Sequence, residues 1–266
     1  MNTIVCLKQV IDPEAPPADF KIDPVTNRMI APPGAQFVVD PFAECAIEAA
    51  LRIKDVNGGK VTAISLGPGQ ARDVVKKPLT MGADELILLE DMGFADGDSW
   101  SIGFALAMAI KKFDSYDLIF CGRESADWNS GQVGLAIAEI LGLPSVTLAA
   151  KVDVLGSKAT VKKVTDEGYE SVEVSIPAVI TVSNEIGLPR YASMDKILAA
   201  ARKKPIIWKP ADIGLTSAQI GPSGRRSKLV KLFQPIYEGK CDIVEGETPE
   251  EAGIKLALRL RAAKIL

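Results

Sequence analysis

The sequence contains no histidine. That absence removes Ser/His and Cys/His nucleophile systems, histidine general bases and most zinc sites, since each needs an imidazole as base or ligand. Cysteine is scarce too: Cys6, Cys45, Cys121 and Cys241 stand far apart with no CxxC, so neither a thioredoxin-type pair nor a thiolate metal cage is expected. Three of the four lie in apolar runs, where free cysteine acts as core filling. No catalytic residue and no metal ligand is assigned. Excess charge is also missing. A net charge of -3, with basic residues spread out apart from Arg202–Lys204, gives no electrostatic case for nucleic acid or an anionic membrane as partner. No stretch approaches the roughly 20 apolar residues of a membrane span, so a membrane-embedded protein is not expected.

What is present is enough apolar material for one large core with a small appended element: 266 residues, 47% hydrophobic. Met1-Asn2-Thr3-Ile4-Val5 enters a strand pattern at once, without a basic n-region or cleavage site. This is expected of a cytoplasmic protein, or of a mitochondrial matrix protein whose transit peptide is missing. Thr3–Val10 reads as a buried strand, and Ile11–Gly34, rich in Pro, Asp and Asn, as a long irregular excursion. Phe37–Asp40 leads into a helix with Asp40 as N-cap and Pro41 in the first helical position, where its missing N–H costs nothing. Phe42, Cys45, Ala46, Ala49, Ala50 and Ile53 then recur at helical spacing. Val61–Leu66 is the next strand, closed by Gly67-Pro68-Gly69, and a helix over Gln70–Thr80 should kink or end early at Pro78. Glu85–Leu89 is a third strand, Asp98 and Ser99 cap a helix over Trp100–Lys112, and Leu118–Cys121 is a fourth strand. A polar stretch, Gly122–Ser130, precedes a helix over Gln132–Leu141.

Strands alternating with amphipathic helices define an α/β fold: a parallel Rossmann-like sheet of the adenine-nucleotide-binding type, flanked by helices. Crossovers in such sheets are right-handed and ligands sit beyond the carboxyl ends of the strands, which places any site after Val10, Leu66 or Cys121. From Thr147 the period changes to two. Leu148–Val154, Thr160–Thr165, Tyr169–Ser175 and Ala178–Val182 read as added β-hairpins at the sheet edge. After Arg190 come Pro205, Pro210, Pro222 and Pro235, with no convincing element over Ile213–Phe233 and a final helix, Pro249–Lys264, capped by Thr248. The expected division is a nucleotide-binding α/β domain over residues 1–205 and an extended C-terminal arm and helix over 206–266. A Pro-punctuated arm that is hard to pack on its own argues that another chain receives it.

Gly122-Arg123-Glu124-Ser125-Ala126-Asp127-Trp128-Asn129-Ser130-Gly131-Gln132-Val133-Gly134 is the most informative segment. It leaves a strand and opens a helix, so free backbone N–H groups and the positive helix end can receive a phosphate. Gly131 lets the backbone approach closely, and Asn129 and Ser130 add short donors. Ordinary helix capping explains the same composition equally well. A GxGxxG loop is absent, since Lys8-Gln9-Val10-Ile11-Asp12 after the first strand has no glycine, and the P-loop pattern is absent too. If a nucleotide binds, the last helix of the sheet does the phosphate work.

An ordered set of stretches resembles the β-subunit family of electron transfer flavoproteins. It comprises Val5–Val10, Phe20–Pro24 with Thr26-Asn27, Asp40-Pro41-Phe42, Leu66-Gly67-Pro68, Met81–Asp84, Gly122-Arg123 and Asp127–Gln132. It continues with Val161–Thr181, where Asp166, Gly168, Glu170 and Pro177 match, and with Pro189-Arg190-Tyr191-Ala192. The resemblance implies an electron carrier subunit rather than a stand-alone catalyst, paired with an α subunit that holds the redox FAD. It implies an adenine nucleotide in this subunit: AMP in simple carriers, a second FAD in electron-bifurcating members, which are NADH-linked. By position the nucleotide contacts are Cys6, Asp40, Pro41, Phe42, Ala43, Leu66, Asp127, Trp128, Asn129, Ser130, Gly131, Gln132, Val133 and Gly134, with backbone groups dominant at Cys6 and Leu66. Bifurcating members commonly read Asp-Gly-Asp-Thr-Ala-Gln where this chain has Asp127–Gln132; the loop length fits theirs, whereas Trp128 is bulkier and Ser101-Ile102 lacks their Thr. AMP and FAD both stay open, with loop length favouring FAD.

The resemblance also implies that Met194 anchors a redox partner, an acyl-CoA dehydrogenase-type enzyme or a membrane oxidoreductase. Two other classes use similar sheets. An adenylating ATP pyrophosphatase carries a Ser-Gly-Gly-type loop that Lys8–Pro13 does not supply, and a stress-type ATP-binding module needs no α partner.

Overall fold

Short β-branched runs bounded by Gly, Pro and Asp become strands here, and each longer apolar period between them becomes a helix. The computed structural model describes residues 1–266 apart from 17–19, 24, 236–238 and 240. Pro24 of the family-like segment Phe20–Pro24 therefore lies outside the described residues, as do residues 17–19 of the excursion and 236–238 and 240 of the arm. The chain forms two compact units, Met1–Val230 and Lys231–Leu266.

The first unit begins with β1 (Asn2–Leu7), β2 (Gln9–Ile11), β3 (Lys21–Asp23), β4 (Arg28–Ile30), β5 (Phe37–Val39), α1 (Pro41–Asn57) and β6 (Lys60–Leu66). It continues with α2 (Arg72–Val75), α3 (Lys77–Met81), β7 (Glu85–Leu89), α4 (Ser99–Ile110), β8 (Leu118–Gly122), α5 (Val133–Leu141) and β9 (Ser145–Leu155). Then follow β10 (Lys158–Thr165), β11 (Gly168–Ser175), β12 (Ala178–Val182), α6 (Met194–Arg202) and β13 (Ile206–Trp208). The second unit holds α7 (Pro249–Ala262), whose N-cap Thr248 accepts a hydrogen bond from Glu251 N, and which buries none of its side chains.

Nine strands form one sheet in the order β11-β10-β9-β12-β8-β1-β6-β7-β13. From β9 to β13 every neighbouring pair is parallel, and only β9-β10-β11 are antiparallel. Successive side chains on a strand point to opposite faces, so β1 sends Val5 and Leu7 into a core under α1 and α3, and Ile4 and Cys6 into a second core under α4 and α5. The strand order reverses at β1, which has β6 on one side and β8 on the other. Such a reversal opens a crevice at the carboxyl ends of the two strands, because the loops leaving them diverge to opposite faces.

Three sequence expectations are corrected. Ala178–Val182 is no edge hairpin: β12 is an interior strand parallel to both β8 and β9 and buried at every residue. A fully buried strand needs no polar alternation, so period alone could not place it. The excursion contains structure: β3 and β4 pair across a turn in which the Asp23 carboxylate accepts from Val25 N (2.8 Å) and Thr26 Oγ1 (2.7 Å). Its return limb, β5, pairs antiparallel with β2 and delivers Asp40 beside the end of β1, where Asp40 N donates to Lys8 O at 2.8 Å. Finally, Ile206–Trp208 extends the sheet beyond β7. The expected break near Pro78 occurs two residues earlier, at Lys76, which puts Pro78 in the first turn of α3 where no N–H is needed.

Candidate functional site

The crevice between β1 and β8 is framed by three helix starts and the loop that leaves β8. Asp40 builds the first side. Its Oδ1 caps α1, accepting from Phe42 N at 2.9 Å and Ala43 N at 3.2 Å, while Oδ2 accepts from Ala126 N at 2.6 Å. One carboxylate thus ties α1 to the loop after β8. Asp40 is only 1% exposed. Burial pushes its carboxyl above the usual aspartate range, opposed by the three backbone hydrogen bonds, with Asp127 adding a smaller upward push. Both oxygens serve the protein, so the side chain acts as a strut and is turned away from direct ligand recognition. Pro41 and Phe42 follow at the helix start, and the Arg123 guanidinium lies 4.9 Å from the Phe42 ring centroid. Ala43 is buried in the core beneath.

The loop itself is curled by two left-handed residues, Asn129 (φ 47°) and Gly131 (φ 62°). Asn129 N donates to Ser125 O at 2.8 Å, and Lys8 Nζ bonds Asp127 at 2.7 Å, which neutralises that carboxylate at the mouth of the crevice. Ser130 Oγ lies 3.3 Å from Ser99 Oγ, so the loop reaches the start of α4. Trp128 is 57% exposed; its indole projects outward and does not fill the loop.

Gln132 is the N-cap of α5 and makes no side-chain cap bond. The first intrahelical bond runs from Ala136 N to Gln132 O, so the N–H groups of Val133, Gly134 and Leu135 have no partner within the helix. Gly134 lets this helix start press onto the sheet: a Cβ there would sit 2.8 Å from Thr181 Cγ2 and 3.3 Å from Cys121 Cβ. Cys6, near the end of β1, packs in the same core as Cys121, Leu66 and Val133. A hydrogen bond with Cys121, then burial, pushes the Cys6 thiol well above its ordinary range, so it is an inert, protonated floor and no nucleophile.

The structure therefore gathers Cys6, Asp40–Ala43, Leu66 and Asp127–Gly134 at one end of the sheet. Met194 stands apart, as the first residue of α6 and 69% exposed. The sequence reading missed Lys8, Ser99 and Ala126. Their roles come from bonds across 119, 31 and 86 positions, which no local pattern reveals. Among the described residues no group of acidic or cysteine side chains could hold a metal.

The fold and crevice define a doubly wound α/β protein with its ligand-competent loops at the strand-order reversal. The electron transfer flavoprotein domain matches residues 29–213. The chain is 38% identical, over 95% of both chains, to the electron transfer flavoprotein subunit beta of Clostridium acetobutylicum. It is 38% identical over the full length of both chains to that of Thermoanaerobacterium thermosaccharolyticum. It is 36% identical, again over full length, to the caffeyl-CoA reductase-Etf complex subunit CarD of Acetobacterium woodii. The chain belongs to the electron transfer flavoprotein family, and its function is that of an electron transfer flavoprotein subunit. Membership implies a flavin in the complex, an α-type counterpart and a redox partner. No described helix is long and apolar enough to cross a membrane.

Proposed function

We propose that this chain is the β subunit of a cytoplasmic heterodimer whose α subunit holds the redox FAD, and that the start of α5 grips the phosphate of an adenine nucleotide. The observation that carries the nucleotide reading is the set of unpaired N–H groups at Val133–Leu135, beside a loop that Asn129 and Gly131 curl toward them. The nucleotide is AMP or a second FAD. The outward position of Trp128 removes the bulk that its side chain seemed to bring into the loop, which favours the longer FAD. When bound, a flavin supplies the one- and two-electron chemistry; the protein supplies position and surroundings, and needs no histidine for either.

Of residues 206–266, Ile206–Trp208 join the sheet, and the part after Val230 is the arm through which the α subunit is held. The exposed Ile254, Leu256 and Leu258 of α7 support that reading, since apolar residues so placed need a cover. Met194 anchors the redox partner, an acyl-CoA dehydrogenase-type enzyme or a membrane oxidoreductase. The name of the CarD relative, which couples an Etf to a CoA-thioester reductase, fits such a partner.

The test is the nucleotide content of the heterodimer co-expressed with its α subunit. A Cβ at Gly131 would sit 3.2 Å from Arg123 O at a positive φ, so Gly131→Leu distorts the loop while leaving the sheet alone. Acid extraction should recover an adenine nucleotide beyond the α-subunit FAD from the wild type and much less from the variant, with unchanged far-UV circular dichroism. Wild-type levels in the variant would refute the site.

A further inference from the structure

A second buried carboxylate lies further along α1, past the Asp40 cap. Glu48 is 4% exposed, in a helix stretch whose neighbours Ile47, Ala49 and Leu51 are core residues. Its Oε2 accepts from Arg190 N (3.0 Å) and Arg190 Nε (2.8 Å), and its Oε1 from Arg190 Nη2 (3.2 Å) and Arg52 Nε (2.8 Å). Arg52 Nη1 goes on to Ile186 O at 2.7 Å, and Arg190 Nη2 to Asp55 at 2.8 Å. Burial pushes the Glu48 carboxyl up, but the hydrogen bonds from Arg190 and Arg52 outweigh it and hold the group below its ordinary value. An apolar residue at this point of α1 would avoid the desolvation cost of a charge, so the network is poorly explained by stability alone.

Every bond of the network that leaves α1 ends in one stretch of chain, Ile186–Arg190, between β12 and α6. That stretch leads into an exposed apolar surface. Leu188 and Met194 are exposed, Tyr191 is 98% exposed, and of α6 only Ala200 is buried. Loops with apolar tips and no anchor lose much entropy on docking, whereas a loop bolted at its base has already lost it.

We propose that Glu48, with Arg190 and Arg52, is the positioning device of the docking segment: it holds Leu188, Tyr191 and Met194 in the conformation that enters the redox partner's pocket. It sets affinity for that partner and leaves the rate within the docked pair alone. The proposal rests on the docking role of Met194 given above. Bidentate geometry matters here more than charge, because a guanidinium fork fixes direction where an ammonium does not.

The experiment uses the co-expressed heterodimer as substrate for an acyl-CoA dehydrogenase supplied with its acyl-CoA, reading KM for the heterodimer and kcat separately. Glu48→Gln and Arg190→Gln should each raise KM roughly tenfold with kcat unchanged. Arg190→Lys should fall between, since it keeps the charge and loses the fork. Adding Glu48→Gln to Met194→Ala should do little beyond Met194→Ala alone, because both act on one contact. Bound nucleotide and melting temperature report folding, and Arg190→Gln, at a partly exposed side chain, serves if Glu48→Gln folds poorly. A Met194→Ala variant with raised KM beside Glu48→Gln and Arg190→Gln at wild-type KM overturns the proposal. So does wild-type behaviour of Arg190→Lys with tighter docking by Glu48→Gln, which marks Arg190 as a plain surface charge. An unchanged KM in Met194→Ala refutes the docking role itself.

Discussion

At the scale of single residues, Asp40 shows how one carboxylate joins two elements. Asparagine in its place keeps an acceptor for the helix cap but turns an amide N–H toward Ala126 N, donor against donor. Asp40→Asn should therefore loosen the loop over residues 123–132, seen as faster amide exchange there, at a cost of about 1 kcal/mol in stability. The pH dependence follows from the raised carboxyl. In the folded chain Asp40 keeps its proton to higher pH than in the unfolded chain, so its contribution to stability declines as pH rises above the ordinary aspartate value of about 3.9. Melting temperatures of wild type and Asp40→Asn measured across that range should converge, the wild type losing ground with rising pH. A pH-independent gap would show that the carboxyl is not raised.

At the scale of elements, the proposed nucleotide loop depends on α5 lying close enough to the sheet for its first turn to face the crevice. Gly134 sets that distance. Gly134→Val drives a side chain into Thr181 and Cys121, an overpacking that costs about 1–3 kcal/mol and lifts the helix start. The expected result is a lower melting temperature together with loss of the extracted nucleotide. Retained nucleotide at a lowered melting temperature would separate packing from binding and count against the role given to this helix start. Much at this scale was legible in the sequence. Asp40 and Pro41 announced α1, Asp98 announced α4 by its cap to Ser101 N, and Thr248 announced α7, because capping chemistry is local. Ala178–Val182 was misplaced and Ile206–Trp208 was passed over for the converse reason: which strand a short apolar run joins depends on residues far away in the chain.

At the scale of the whole molecule, Met1–Val230 is compact by itself and contains the sheet, both cores and the crevice. A chain ending after Val230 should keep a cooperative thermal transition and its far-UV signal, yet co-purify poorly with the α subunit, because the exposed apolar residues of α7 are gone. Undiminished co-purification would move the α-subunit contact into the first unit.

By itself the sequence determined the class of chemistry and the local frame. The lack of histidine and of paired cysteines closed off whole families of catalysis, and alternating strand and helix periods with their caps set the parallel sheet and its carboxyl-end loops. The tertiary structure alone decided what the polar side chains do. It made Asp40 a strut between α1 and Ala126, paired Lys8 with Asp127, and closed two arginines on Glu48. Apart from the Arg52–Glu48 pair, neighbours on one helix, those outcomes are set by through-space distances between residues tens to more than a hundred positions apart, and such distances exist only once the backbone has folded.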